Sequence, residues 1–196
     1  AREGYKTTGI DLSDGMIHGA KQLADTEGLD VSLYIAPWSE ETRQTLGWDK
    51  TFNLAYGIFC PIMFDVENIR SMHNASHDTC LWIAFSERMD ETVDMLSEYF
   101  FGRDSFPWTG KVKECLDAIH KIGHNVKVTY KTVPETEVMS IDKAVDYFTL
   151  RLHNNEWGII EDMKREIRQL IEPRTIDGKI HNKTVDTVAW VSWSVK

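Results

Sequence analysis

The chain has 196 residues, 42% of them hydrophobic and 27% charged, which is ordinary globular composition and not that of a disordered tail. A chain this long can bury a full core without disulfide staples. Its 22 basic and 31 acidic residues leave a net charge of −9, which argues against a nucleic-acid backbone or an anionic membrane as the main partner. No apolar run approaches the roughly 18 residues of a membrane span, and no charged-then-apolar leader pattern is present. Cys60, Cys80 and Cys115 form no CxxC pair and are odd in number, so they read as three reduced, mostly buried thiols in a cytoplasmic protein.

Residues 5–10 are short and β-prone. Ser13 then supplies an N-cap, and Met16, Ile17, Ala20, Leu23 and Ala24 recur at helical spacing until Gly28. Val31 to Ala36 is a strand that Pro37 ends. Ser39-Glu40-Glu41 opens a short helix with acid at its N-terminus. Phe52 to Phe59 is a buried strand, and Asp65 caps a helix with Val66, Ile69, Met72 and Ala75 on one face. Thr79 to Phe85 is continuously apolar, as in parallel strands covered on both faces.

Val93, Leu96, Tyr99 and Phe100 have helical spacing. The stretch 87–110 reads as a lid, because Tyr99, Phe100, Phe101, Phe106 and Trp108 cluster around a Gly-Arg-Asp turn. Val112, Cys115, Leu116, Ile119 and Ile122 mark an amphipathic helix that Gly123 stops. Asn125 to Val133 is a strand closed by Pro134. Two helices follow, one carrying Ile141, Ala144, Val145, Phe148 and Leu152 behind a Ser140 cap, the other Ile160, Met163, Ile167 and Leu170. They read as an insertion over 135–180 before a last strand, Lys183 to Val195. The alternation implies a single α/β domain over 1–196, a three-layer sandwich with a mostly parallel, doubly wound sheet between helices.

In such a sheet, ligands bind beyond the carboxyl ends of the strands. The polar groups there are Asp11, Pro37-Trp38-Ser39, Phe59-Cys60-Pro61 and Phe85-Ser86-Glu87. A carboxylate at Asp11 offers two acceptor oxygens to the vicinal hydroxyls of a ribose. Asp11 is equally a capping residue for the helix that starts near Ser13. His73 and His77, like His120 and His124, have i, i+4 spacing, yet no third ligand lies near; they read as helix-end residues, and no metal is expected.

The run Gly9-Ile10-Asp11-Leu12-Ser13-Asp14-Gly15-Met16-Ile17 resembles the second-strand region of class I S-adenosylmethionine-dependent methyltransferases. The resemblance extends over most of the chain. Val31–Trp38 resembles the family's third strand, Phe52–Pro61 its fourth strand, and Val185–Val195 the antiparallel strand that completes its sheet. It implies methyl transfer from S-adenosylmethionine to a small molecule, with S-adenosylhomocysteine as product. The cofactor would be held by Asp11 on the ribose, with Leu12, Met16, Trp38 and Ser39 around the adenosine. Tyr56, Phe59, Cys60 and Pro61 would line the substrate side. No catalytic residue stands out, and methyl displacement needs positioning more than a strong acid or base.

The sequence departs from the family in one respect. The first strand, the glycine-rich loop and most of the first helix have no counterpart, and Ala1-Arg2-Glu3-Gly4 looks like the tail of that helix. A sheet lacking its first strand exposes two unpaired edges. The expectation is therefore a piece of a longer protein, or another segment filling the gap. Two other readings stand beside the methyltransferase: a non-catalytic scaffold or partner subunit that lost the cofactor loop, and a nicotinamide-dependent oxidoreductase using Asp11.

Overall fold

The computed structural model describes residues 1–102, 110–153 and 160–196. In chain order its elements are β1 (Thr7–Asp11), α1 (Asp14–Glu27), β2 (Val31–Ile35), α2 (Glu40–Thr45), β3 (Phe52–Ile58), α3 (Val66–Ala75) and β4 (Ser76–Asp90). Then come α4 (Glu91–Phe101), α5 (Lys111–Ile122), β5 (His124–Ser140), α6 (Ile141–His153), α7 (Ile160–Ile171) and β6 (Lys179–Ser194). Among the described residues, no helix is long and apolar enough to cross a membrane.

The helix starts follow from their caps. The Ser13 hydroxyl accepts from the Met16 N–H, Ser39 from Thr42, and the Asp65 carboxylate from Glu67 at 2.8 Å. Each satisfies one of the donors that a helix N-terminus leaves unpaired. α1 ends as the sequence predicts, at a left-handed Gly28 with φ +65°.

The chain divides into two compact units. The first comprises residues 1–82, 113–127 and 191–196. Here β1 and β2 form a two-stranded parallel sheet, with Thr7 opposite Val31 and Asp11 opposite Ile35. β3 belongs to a different, four-stranded sheet of order β3-β4-β6-β5. Lys50 and Thr51 donate to the carbonyls of Asn74 and Ala75, and Ser76 donates to that of Phe52. These bonds tie the entry of β3 to the end of α3 and the start of β4. The core of this unit is built by Ile69 and Met72 of α3, Cys80 and Trp82 of β4, Ile119 of α5 and Trp193 of β6, all buried.

The second unit comprises residues 83–112 and 128–190. Its core joins Val93 and Leu96 of α4, Phe148 of α6, and Met163 and Ile167 of α7, closed by Met139 and Ile180 on the strands. Ser86 donates to the Thr187 carbonyl in this unit, and Val195 donates to that of Asp78 in the first. Numbers rising on β4 match numbers falling on β6, so the closing strand is antiparallel.

Several expectations are adjusted. β4 is longer than Thr79–Phe85 at both ends, and β6 starts at Lys179 rather than Lys183. β5 runs through Pro134 instead of stopping before it. It is the last strand of its sheet, and an edge strand tolerates a residue without an N–H donor. Within the stretch read as a lid, Glu87–Asp90 closes β4 and Glu91–Phe101 forms α4, while Phe106 and Trp108 lie outside the described residues. On α1, only Ala24 of the apolar face is buried; Met16 and Leu23 stand in solvent.

Candidate functional site

Three strands of the first unit end near one another. Asp11 closes β1, and its backbone carbonyl accepts from the Ala36 N–H just past β2 at 3.1 Å. The Asp11 carboxylate turns back on its own chain, where Oδ1 accepts from the Ser13 N–H at 2.8 Å. That bond closes a turn ahead of the helix, while the cap of α1 is Ser13 itself. The turn also fixes the carboxylate on an exposed ledge, where Oδ2 has no hydrogen bond among the described residues. Leu12 and Met16 flank it with exposed apolar surface.

β3 ends at Ile58, and the chain then turns through Phe59, whose φ is +49°. A bulky residue in the left-handed region is strained, and such strain clusters at functional turns. Cys60 follows, half-buried, ahead of a 3-10 turn over Pro61–Phe64. Burial pushes the Cys60 thiol above its ordinary range, two backbone N–H groups oppose the shift, and the Asp11 charge adds to it. With its thiolate disfavoured, Cys60 is poorly suited to act as a nucleophile.

The other expected residues are placed differently. The Trp38 indole N–H donates to the Asn68 carbonyl at 3.2 Å, which ties the loop after β2 to α3. The Ser39 hydroxyl is committed to capping α2. Tyr56 lies inside β3 with its ring exposed, on the strand face rather than at the strand end. Met63 was not singled out by the sequence; it is buried, and its Cγ would touch a Cβ on Gly57 at 3.1 Å. The small residue within a strand is the only sequence signal for that close approach.

His73 and His120 lie in the last turns of α3 and α5, whereas His77 and His124 fall on β4 and β5. His73 accepts from the Trp193 indole, and His120 contacts the Leu116 carbonyl one turn back. No group of three metal-binding side chains exists among the described residues.

No family model and no curated protein matches the sequence. Solved structures do match the fold. A candidate methyltransferase from Bacillus halodurans C-125 superposes with a TM-score of 0.56 at 10% identity, over 97% of this chain and 83% of that one. The MccD protein superposes with a TM-score of 0.51 at 15% identity, over 100% of this chain and 82% of that one. The chain has the class I methyltransferase fold. The Asp11 ledge and the Phe59–Pro61 turn lie at the carboxyl ends of β1 and β3, the ends at which ligands of open α/β sheets bind.

Proposed function

We propose that this protein binds S-adenosylmethionine over the ends of β1 and β3 and transfers its methyl group to a small-molecule acceptor. The observation that carries the reading is the Asp11 carboxylate. It is fixed through Oδ1, open at Oδ2, and placed at a strand end of a methyltransferase fold. A vicinal diol needs such a pair of acceptors. Leu12 and Met16 offer the apolar wall that an adenosine needs, and the residues present fit that half of the ligand. When bound, the cofactor supplies an activated methyl group on a sulfonium.

The chain's own part is to orient and to exclude water. The Asp11 side holds the ribose, Trp38 closes the adenine end from its anchor on α3, and Phe59, Cys60 and Pro61 face the acceptor. Three free cysteines support a reducing compartment such as the cytoplasm. An antiparallel β6 between β4 and β5 supports the methyltransferase reading over an oxidoreductase one, because the dinucleotide-binding sheet is open and mostly parallel.

Calorimetric titration with S-adenosylhomocysteine tests the proposal, with NAD as the control. Binding that Asp11→Ala weakens by about tenfold or more supports it, a loss in the range of a charged hydrogen bond. Equal binding by the variant, or binding of NAD in its place, overturns it.

A further inference from the structure

The end of β4 is one of the strand ends where the sequence predicts a ligand, and the cofactor reading does not use it. In the second unit it runs beside the start of β6. Arg88 of β4 meets Asp186 of β6 at 3.1 Å, and its guanidinium also lies 4.7 Å from the centre of the Phe85 ring. The strands are antiparallel, so residues beyond Arg88 on β4 meet residues before Asp186 on β6. There each strand buries one polar side chain. Asp90 closes β4 at 1% exposure, and Asn182 of β6 is also 1% exposed. Both border one core. The Val93 N–H is bonded to Asp90, Ile180 stands two residues before Asn182, and Val93 and Ile180 belong to the same buried cluster.

These two side chains carry bonding capacity that the described residues do not use. Asp90 Oδ1 caps α4 by accepting from the Val93 N–H at 3.0 Å, while Oδ2 is buried without a partner. Both ends of the Asn182 amide are buried without a partner. Unpaired polar atoms in a core are costly. The N-terminus of α4 offsets some of the Asp90 charge. Arg88 does not, because Asp186 already matches it. Nothing offsets the amide. A leucine would fill a similar volume with no polar atom to satisfy, so packing gives no reason for asparagine at this position.

The unused groups define their own complement. They are two acceptors, one of them charged, and one amide donor with two hydrogens. A cationic N–H donor with an oxygen beside it satisfies all three. We propose that Asp90 and Asn182 form a binding site for a small molecule in which an ammonium group adjoins a hydroxyl or carbonyl oxygen. The ammonium donates to Asp90 Oδ2 and Asn182 Oδ1, and the neighbouring oxygen accepts from Asn182 Nδ2. Both side chains are buried, so the ligand enters through local opening of this unit, and its association is slower than free encounter. The site lies wholly within the second unit, and it stands or falls apart from the methyl-transfer reading.

Thermal unfolding of the protein at neutral pH tests the proposal, with ethanolamine and glycinamide as probes. Propylamine, which lacks the oxygen, and acetamide, which lacks the charge, are the controls. The expected result is a saturable rise in Tm with the two probes, about 3–5 °C at ten times the dissociation constant, and a much smaller rise with either control. Asn182→Leu should act with opposite signs on the two readouts. It should raise the Tm of the free protein, because the unpaired amide is gone, and it should abolish the shift caused by the probes. Asp90→Asn keeps the cap of α4, since asparagine caps as well as aspartate, and should weaken the probes by about tenfold or more through loss of charge. Three results overturn the proposal. One is the lack of a saturable shift with either probe. Another is a probe shift that survives Asn182→Leu while the Tm of the free variant falls, which makes the asparagine structural. The third is an equal shift with propylamine, which removes the amide from the site.

Discussion

A methyl group has no room at Gly123. A Cβ there would lie 2.5 Å from Cδ1 of Trp193, a ring that is fully buried. Gly123→Ala must therefore displace the indole, and overpacking of this kind costs about 1–3 kcal/mol. A urea midpoint that falls without a change in slope checks the prediction. The same indole donates to His73 Nδ1 at 3.2 Å, so that nitrogen must be unprotonated. Burial lowers the His73 pKa first, and the charges of Lys50 and His124 lower it further. The unfolded chain then binds the proton more readily than the folded one. The contribution to stability is complete above the ordinary histidine value of about 6.5 and is lost as pH falls from there toward the lowered folded value. Tm should drop between pH 7.5 and 5.5, and His73→Gln should flatten that drop, since an amide oxygen accepts from Trp193 without titrating. An unchanged pH profile in the variant would place the acid sensitivity in other groups. The sequence showed His73 as a helix-end residue, which it is; its partner lies 120 residues away, and no local pattern could announce it.

At the scale of elements, what is written locally was legible. α1, α2 and α3 start where Ser13, Ser39 and Asp65 say they should, because a cap and its donor are two or three residues apart. Asp65→Ala should accordingly cost about 1 kcal/mol, the usual loss for an N-cap. Chemical denaturation would show it, and Asp65→Ser should restore most of it, whereas a purely electrostatic role would leave Ser as poor as Ala. What is decided by neighbours in space was less legible. Pro134 interrupts β5 in the sequence and not in the fold, because the strand lies at a sheet edge. The Phe59 backbone was hidden for a related reason: a left-handed conformation is announced by glycine or asparagine, and here an aromatic residue adopts it. The candidate site was read in outline only. Asp11 and Cys60 fall at the ends of β1 and β3 as expected, but the packing of Trp38 on α3 and the use of Ser39 as a cap emerge only from the folded chain.

For the whole molecule, charge and the uncovered apolar surface act against each other. A net charge of −9 keeps copies apart at neutral pH, while Leu54, Tyr56 and Ile58 and two open strand edges favour their association. The balance shifts with pH, because the net charge vanishes near pH 5.2. Light scattering of the 196-residue protein should therefore show association growing with concentration near that pH and disappearing by pH 7.5. Charge loss alone would make any added carboxylate protective, wherever it is placed. A local cause makes the position decisive. Leu54→Glu should suppress the association strongly, while Leu150→Glu, the same charge on an exposed side chain of α6, should suppress it far less. Equal suppression by the two variants would assign the effect to net charge and remove the strand edges from the explanation. The His73 effect is separable in the same samples, since protonation of a single chain is independent of concentration and association is not.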